Sequence, residues 1–393
     1  MTETCDAVVI GGGIVGAAVG YHLSRAGLEA VVVDRRDRGH ATWAGAGIVC
    51  PVTATVGNRH LVDLAFAAAA SYPALAAELA EEPAVAAEPT TGYASSAMLS
   101  VSVGGTGAEH VSRIAAWADK VAGQARWAAM CGYRRVGQAE SREFCPVLAG
   151  DVDGGLLISS AARVDGDRFR QAMLAAGQRR GLTVLPGDAR LVIKGQGAAE
   201  VTVDGRTFAA GHVVICAGAW TERILALGGD APVVIPCRGE ILHLQVDGLD
   251  TTSWPLVEIE GSGPYIIGWP SGRLAVGTTV EPALDFDARP TLAGIRAIAE
   301  SLSRAAGEQI KQAKLIECRV GFRPMSADGL PVIGPWNGSK RVLLATGHGA
   351  NGLSWGPYTG KLAADIITGL PAEIDLRPFA ADRFGRAAEK EQM

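Results

Sequence analysis

Residues 6–34 read DAVVIGGGIVGAAVGYHLSRAGLEAVVVD. The apolar run at 6–10 predicts a short buried strand, residues 14–26 predict a helix, and AVVVD at 30–34 predicts a second buried strand. Gly27 stands where a C′ glycine ends a helix. Because two strands joined by a helix pair in parallel, this stretch predicts an α/β protein with a Rossmann-type sheet.

The turn between the first strand and the helix carries the pattern G-x-G-x-x-G, with its glycines at 11, 13 and 16. A strand before this pattern and a helix after it form the context in which it indicates dinucleotide binding. Gly11 permits the tight turn, Gly13 lets a pyrophosphate approach the backbone, and Gly16 allows close packing of the helix. The helix N-terminus offers free N–H groups to an anion, so Ile14 and Val15 are also candidate cofactor contacts.

A carboxylate, Asp34, ends the second predicted strand and is followed by Arg35 and Arg36. A carboxylate at this place can accept hydrogen bonds from ribose hydroxyls and would repel a 2′-phosphate. It therefore argues against NADP despite the two arginines, and Asp34 and Arg35 become candidate cofactor contacts. The motif alone leaves both FAD and NAD open.

Composition excludes several classes of function. The chain has 393 residues, 48% hydrophobic and 20% charged, which is typical of a globular protein, and its net charge of -5 argues against a nucleic-acid partner. The seven cysteines include no C-x-x-C pair, so we predict no disulfide framework, no metal site and a reducing, cytoplasmic location. No uninterrupted run of about 18 apolar residues occurs, which predicts no transmembrane helix and no membrane partner.

Two kinds of strand pattern alternate along the chain. Parallel-type buried strands occur at the start, at 213–217 and at 341–346, so a single sheet would gather them. Between 238 and 280, short strands separated by Gly, Pro and Ser predict an antiparallel sheet with a hairpin around Pro270-Ser271-Gly272. Further helices are predicted at 61–82, 109–131, 166–180, 290–306 and 353–368.

This pattern predicts two domains, one of them discontinuous. The nucleotide-binding domain is expected to comprise residues 1–85, 146–236 and 318–393. The inserted substrate domain, an α+β unit with an antiparallel sheet, is expected to comprise residues 86–145 and 237–317.

Eight segments are informative through their order and spacing. They are GGGIVGAAVGYHLSRAG (11–27), ATWAGAGIV (41–49), GGLLISSAARVDGDRF (154–169), VVICAGAW (213–220), CRGEIL (237–242), PYIIGWPSGRLAVGTTVE (264–281), GFRPMSADGLPVIG (321–334) and ATGHGANGL (345–353). Together they resemble the D-amino acid oxidase and glycine oxidase family of FAD-dependent oxidoreductases, and in particular the bacterial glycine oxidases of thiamine synthesis. The resemblance covers nearly the whole chain.

The resemblance implies FAD as the cofactor, held in a Rossmann-type FAD-binding domain. Small residues of the second segment would lie along FAD between the pyrophosphate and the isoalloxazine, and Arg190 would contact adenine through its backbone atoms. The final loop would wrap the pyrimidine end of the flavin, where a helix N-terminus stabilises negative charge. The residues of the second segment are Ala41, Thr42, Ala46, Gly47 and Ile48, and those of the final loop are His348, Gly349, Ala350, Asn351, Gly352, Leu353 and Ser354.

The mode of FAD attachment follows from two positions. In related flavoenzymes an attachment histidine follows the tryptophan of a motif like ATW, whereas here Ala44 follows Trp43. Cys318 lies near the attachment cysteine of sarcosine oxidases but is displaced by two residues. The sequence therefore predicts noncovalent FAD.

The resemblance also implies two substrate contacts. Arg323 matches the arginine that holds the substrate carboxylate, and a guanidinium suits this role because it offers a planar bidentate fork. Tyr265 matches an active-site tyrosine that could orient a carboxylate or an amine. One position departs from glycine oxidase, which has a second arginine in the final loop where Ala350 stands here. Glycine, a D-amino acid and an N-substituted amino acid all stay open as substrates.

The activity implied is oxidation of a small amine or amino acid to an imine, by hydride transfer to flavin N5. Molecular oxygen is the expected acceptor, giving hydrogen peroxide. The alternatives are a dehydrogenase with a quinone acceptor, a tailoring oxidase acting on a biosynthetic intermediate, and a dinucleotide-binding protein without catalysis. A homo-oligomer is left open.

Overall fold

The computed structural model describes residues 2–81, 91–104, 107–149, 152–193, 199–225, 233–259, 264–283 and 285–384. Within these ranges the strands are β1 (Thr2–Ile10), β2 (Ala30–Asp34), β3 (Ile48–Val49), β4 (Ala94–Val103), β5 (Tyr133–Gly137), β6 (Val152–Arg163), β7 (Thr183–Pro186), β8 (Ala189–Ile193), β9 (Ala199–Val203), β10 (Arg206–Ile215), β11 (Val234–Gln245), β12 (Leu256–Ile259), β13 (Tyr265–Trp269), β14 (Arg273–Gly277), β15 (Glu281–Pro282), β16 (Lys314–Ser326), β17 (Val332–Pro335) and β18 (Val342–Thr346).

The α-helices of the same ranges are α1 (Ile14–Arg25), α2 (Ala41–Ala44), α3 (Pro51–Ala54), α4 (Val62–Glu81), α5 (Ala108–Ala122), α6 (Gln138–Phe144), α7 (Gly166–Arg179), α8 (Thr221–Leu225), α9 (Leu292–Ala305), α10 (Glu308–Lys311) and α11 (Gly352–Thr368). The six helices expected from the sequence correspond to α1, α4, α5, α7, α9 and α11. The helix expected over 109–131 is shorter than predicted, because α5 ends at Ala122 with Gly123 as its C-cap, and a separate 3-10 turn follows at Ala128–Met130.

The first sheet confirms the β-α-β interpretation. β1 and β2 pair in parallel, α1 connects them, and Gly27 has a φ of 80° after the helix, as a C′ glycine requires. The parallel core runs β18, β10, β1, β2 and β7, so it gathers strands from the start, middle and end of the chain, as predicted. Three antiparallel strands, β17, β9 and β8, extend it.

The second sheet is mostly antiparallel and includes the predicted hairpin of β13 and β14 around Pro270-Ser271-Gly272. One pair differs from the expectation, because β4 and β12 run parallel. Two of its longest strands, β6 and β16, carry no strand prediction from the sequence. Both contain glycine or charged residues that disfavour strands locally, and pairing with β4 and β11 stabilises them instead.

The strands of the two sheets do not follow the expected domain ranges strictly. β6 lies within 146–236, which we assigned to the FAD-binding domain, yet it pairs with β4 and β5 in the second sheet. The first part of 318–393 likewise belongs to β16 of that sheet. The expected boundary between residues 85 and 86 lies outside the described residues. The division into domains stays a prediction.

One helical segment of the described chain, Arg59–Glu81, is long and apolar enough to cross a membrane by length and composition. In this fold 56% of its most apolar window is buried. The Tyr72 hydroxyl in α4 donates a hydrogen bond to the backbone carbonyl of Leu353, which ties α4 to the start of α11. The segment is therefore a core helix of this structure.

Candidate active site

A cavity of about 1020 Å³ lies where the turn after β1, the end of β2 and strands of the second sheet meet. Its size is at the upper end of the range of roughly 300–1,000 Å³ typical of ligand pockets. The sequence-predicted site residues that line it are Gly11, Gly13, Ile14, Val15, Asp34, Ala41, Thr42, Ala46, Gly47, Ile48, Tyr265, Arg323, His348, Gly349, Ala350, Asn351, Gly352 and Leu353.

The glycine turn is packed too closely for side chains. Gly11 has a φ of 102°, and a Cβ atom there would lie 2.4 Å from the carbonyl oxygen of Cys216. A Cβ atom at Gly16 would lie 1.8 Å from the carbonyl oxygen of Gly11, so α1 can start beside the turn only with glycine at this place. Gly13 is the N-cap of α1 and no side chain caps it, while the amide of Ile14 donates to Thr42 Oγ1 at 2.9 Å. This helix end thus offers backbone donors and a positive dipole to an anion in the cavity.

Asp34 lies beside this turn. Its Oδ1 accepts a hydrogen bond from the Arg36 amide at 2.8 Å, and its Oδ2 lies 2.6 Å from the position of a Cβ built on Gly12. The carboxylate therefore lies next to the glycine turn at the cavity wall, where a ribose could reach it.

We expect Asp34→Ala to weaken FAD binding more than it weakens the fold. Loss of a charged hydrogen bond costs about 1.5–3 kcal/mol, which is roughly a ten- to hundredfold rise in the Kd of FAD. Asp34→Asn is the matched variant, because it can still accept from the Arg36 amide. Fluorescence titration of apoprotein with FAD measures both, and an unchanged Kd in Asp34→Ala would show that Asp34 does not contact the ribose.

Four predicted cofactor contacts are not among the residues that line the cavity: Gly16, Arg35, Arg190 and Ser354. Gly16 packs against the turn, and Ser354 is buried in the first turn of α11. Arg35 points instead to Asp37, at 2.7 Å, and to Asp188, at 3.4 Å. Arg190 is exposed, because β8 folds back as an antiparallel edge strand on β9. The fold thus pairs the Arg35 side chain with two carboxylates, and the contact between the Arg190 backbone and adenine stays a prediction.

The segment after β2 forms a wall of small residues. His40 caps the short helix α2, with its side chain accepting from the Trp43 amide at 3.3 Å. Gly47 has a φ of 84°, and a Cβ there would lie 2.0 Å from the carbonyl oxygen of Val164. The backbone consequently runs along the cavity with little side-chain volume, as close approach of a large cofactor requires.

Cys318 is turned away from this wall. Its thiol donates to Glu240 Oε2 at 3.4 Å, and it is not among the residues lining the cavity. Burial raises the pKa of Cys318 to about 12, which keeps the thiol protonated and a poor nucleophile.

We therefore expect acid or heat denaturation to release free flavin into the supernatant. The expectation rests on Ala44 in place of an attachment histidine and on the position of Cys318. Flavin fluorescence after precipitation measures the release, and Cys318→Ser should give the same result as the natural chain. Flavin that stays with the precipitate would contradict noncovalent binding.

The final loop closes one end of the cavity. His348 is buried and its Nε2 shares a hydrogen bond with Thr359 Oγ1 at 2.9 Å. Burial lowers the pKa of His348 to about 4, so the imidazole is neutral at pH 7. A 3-10 turn at Gly349–Asn351 then leads into α11, whose first turn has no side-chain cap at Asn351. A second helix N-terminus therefore faces the cavity.

Arg323 and Tyr265 come together on the second sheet. Arg323 Nη2 donates to Thr278 Oγ1 at 2.7 Å and Nη1 donates to the Thr279 carbonyl at 3.2 Å. A Cβ on Gly239 would lie 2.1 Å from Nη1, so the guanidinium lies flat against this glycine. Burial raises the pKa of Tyr265 to about 12, and the phenol therefore stays neutral and can donate a hydrogen bond. No carboxylate in the described ranges pairs with Arg323.

Sequence reasoning missed four charged residues that line the cavity: Arg36 and Asp37 directly after β2, Arg170 and Glu258. Arg170 in α7 donates to the carbonyl of Gly12 at 3.3 Å and pairs with Asp167 at 2.9 Å, which places a cation beside the glycine turn. Arg170 directly follows the segment GGLLISSAARVDGDRF (154–169), so it was not among the predicted contacts. The sequence signal for Glu258 on β12 is a single carboxylate within the apolar strand LVEI.

Together these features define a nucleotide-binding α/β protein whose cavity joins a dinucleotide turn to a small polar site on a second sheet. The residues present fit a dinucleotide, because two helix N-termini and a wall of glycines and alanines surround the long cavity. A family model described as FAD dependent oxidoreductase, DAO, matches residues 6–366. The chain belongs to this family, and it is an FAD-dependent oxidoreductase.

Three relatives illustrate the similarity. Uncharacterized oxidoreductase YurR of Bacillus subtilis strain 168 is 33% identical over 372 residues, which are 95% of this chain and 97% of that protein. The structure of iminodiacetate oxidase (IdaA) from Chelativorans sp. BNC1 has 31% identity and a TM-score of 0.86, over 95% of this chain and 98% of that one. Glycine oxidase from Geobacillus kaustophilus has 26% identity and a TM-score of 0.86, over 97% and 99%. The predicted fold class, cofactor and family are thereby confirmed.

Proposed function

We propose that this chain oxidises a small amine or amino acid that carries a carboxylate, with FAD as the oxidant. The observation that carries the proposal is the Arg323 guanidinium, which lines the same cavity as the dinucleotide turn. It has no acidic partner in the described ranges, so its charge is available to a ligand. Its hydrogen bonds to Thr278 and Thr279 fix the plane of the guanidinium before a ligand arrives.

The placement of FAD is part of the proposal. The turn at Gly11–Val15 would bind the pyrophosphate, and Asp34 the ribose. The segment 41–48 would run beside the cofactor, and the loop 348–353 would hold the pyrimidine end. FAD bound in this way would accept a hydride at N5 from the substrate Cα–H, leaving an imine.

The protein residues would orient the substrate for this step. Arg323 would anchor the carboxylate, and the Tyr265 hydroxyl would donate a hydrogen bond to the same ligand. The apolar side chains of Met98 and Ile241 line the cavity and would exclude water from the reacting atoms. Fixed orientation supplies much of the rate in such a reaction.

 Ala350 bears on the choice of substrate, because it lines the cavity at the place where the resemblance to glycine oxidase implies a second arginine. With one cationic anchor and a smaller side chain, the site has room for an N-substituent or a larger side chain. The relatives named iminodiacetate oxidase and glycine oxidase support an amino acid or an N-substituted amino acid as the substrate.

Molecular oxygen is the acceptor in this proposal, because both of these relatives are named oxidases. Reduced cofactor would then yield hydrogen peroxide. Peroxide formation with little dye reduction supports an oxidase, whereas dye or quinone reduction without peroxide supports the dehydrogenase alternative.

Anaerobic bleaching of the flavin spectrum tests the function directly. The panel comprises glycine, sarcosine, iminodiacetate, cyclic imino acids, and D- and L-amino acids, with the matching amines that lack a carboxylate as controls. We expect bleaching only with carboxylated amines. Bleaching by the simple amines alone would remove the role of Arg323, and a colourless protein that binds no FAD would contradict catalysis altogether.

A further inference from the structure

Glu258 is a charged residue on the second-sheet wall of the cavity. On β12 it stands opposite Tyr265 of β13 and Ser100 of β4. Its side chain lines the same cavity as Tyr265 and Arg323. Its Oε2 atom is buried and has no hydrogen-bond partner in the described part of the chain.

The surroundings of Glu258 leave its carboxyl group without a cation. No lysine, arginine or histidine of the described ranges forms an ion pair with it. Tyr265 stands opposite it on β13, and the charge of Glu258 acts on the Cys50 thiol. Burial raises the pKa of Glu258 to about 7. An unpaired carboxyl group in a buried site costs free energy, so its presence in a ligand cavity points to a cationic or proton-donating ligand group.

We propose that Glu258 binds the amine of the substrate and accepts its proton, an inference that rests on the proposed function. An amino acid in water carries a carboxylate and an ammonium group. Arg323 provides the cation that pairs with the carboxylate, and Glu258 provides the anion that pairs with the ammonium group. Both side chains line one cavity, and Tyr265, which stands opposite Glu258 on the neighbouring strand, feels the charge of Arg323. The substrate must therefore have amine and carboxylate groups that span the wall on either side of Tyr265.

The proton transfer removes an obstacle to oxidation. An ammonium nitrogen has no lone pair and cannot form a double bond to carbon. When an N–H proton moves to Glu258 Oε2, the N–H bond breaks, an O–H bond forms, and the electron pair stays on nitrogen. The neutral amine can then form C=N as the Cα–H electron pair leaves as hydride to the FAD already proposed. Glu258 ends as a neutral acid, which suits a buried site.

This role predicts a pH dependence of kcat/KM. Glu258 must be ionised to take the proton, so kcat/KM should rise as the pH increases through about 7. The other titratable groups that face it do not titrate there, because burial holds the pKa of Tyr265 at about 12 and that of Cys50 at about 11. His348 of the same cavity has a pKa of about 4. The rise near pH 7 should therefore belong to Glu258.

Glu258→Gln tests the inference in the FAD-loaded enzyme, with Ser100→Ala as the matched control. Ser100 stands opposite Glu258 on β4 and changes the packing beside it without removing a charge. We expect Glu258→Gln to lower kcat/KM on the best carboxylated amine by about 100-fold or more and to abolish the rise near pH 7. Glu258→Asp should keep the rise with a lower kcat/KM, and Ser100→Ala should keep both.

Ligand binding without turnover provides the second readout. Perturbation of the flavin spectrum reports binding of propionate, which has only a carboxylate, and of an amino acid that is not oxidised. Glu258→Gln should weaken binding of the amino acid and leave binding of propionate unchanged. If Glu258→Gln has the kcat/KM and the pH profile of the natural enzyme, the inference is overturned while the proposed function stays intact. If the natural enzyme oxidises no amine, the proposed function fails. If, in addition, the natural enzyme and Glu258→Gln bind the amino acid equally well, the role of Glu258 is overturned too.

Discussion

Arg323→Ala is expected to give a folded, yellow holoprotein whose kcat/KM on carboxylated amines falls by about 30- to 1000-fold. The loss corresponds to roughly 2–4 kcal/mol of transition-state stabilisation, as expected for a charge-assisted bidentate contact. The effect should be large because Arg323 lacks an acidic partner in the described ranges and Ala350 provides no second cation. Steady-state kinetics on the best substrate of the anaerobic panel measure it.

Two further variants separate charge from geometry at this site. Arg323→Lys should restore only part of the activity, because an ammonium cannot reproduce the planar fork that Thr278 and Thr279 orient. Ala350→Arg should shift the preference towards small amino acids if the pocket resembles that of glycine oxidase. Natural kinetics in Arg323→Ala on a confirmed carboxylated substrate would refute the carboxylate role and point to an amine without a carboxylate.

Gly16→Ala is expected to abolish FAD retention or to destabilise the fold by about 3 kcal/mol or more. The new Cβ would lie 1.8 Å from the carbonyl oxygen of Gly11 and 2.9 Å from its carbonyl carbon. Both atoms belong to the backbone, so the turn and α1 must move apart, and the donors facing the cavity move with them. The ratio of flavin to protein absorbance and the thermal unfolding midpoint measure the two consequences.

Gly123→Ala is the matched control for this substitution. Gly123 is exposed at the end of α5, has a helical φ of -62°, and a Cβ there would be no closer than 3.4 Å to its neighbours. This variant should keep the flavin, and its free energy of unfolding should lie within about 0.5 kcal/mol of that of the natural chain. A Gly16→Ala protein with natural FAD content and stability would show that the turn tolerates a side chain.

The sequence by itself determined the nucleotide-binding half of the architecture. Its signals are local: the apolar run at 6–10, the glycines of the turn and Asp34 all lie within one β-α-β unit. Strand and helix periodicity and the steric freedom of glycine act over a few residues, so they can be read without the rest of the chain. The resemblance then added Arg323 and Tyr265, which periodicity alone does not distinguish from structural residues.

Only the tertiary structure decided which side chains share the second-sheet site. Arg323, Tyr265 and Glu258 come from three strands, and β16 carried no strand prediction because its stability depends on pairing with distant β11. The same pairing pattern turned Arg190 to solvent and set β4 parallel to β12. Burial of the Glu258 carboxyl without a cation is a property of this assembled wall, because long-range strand pairing, and not local sequence, determines which charges become neighbours.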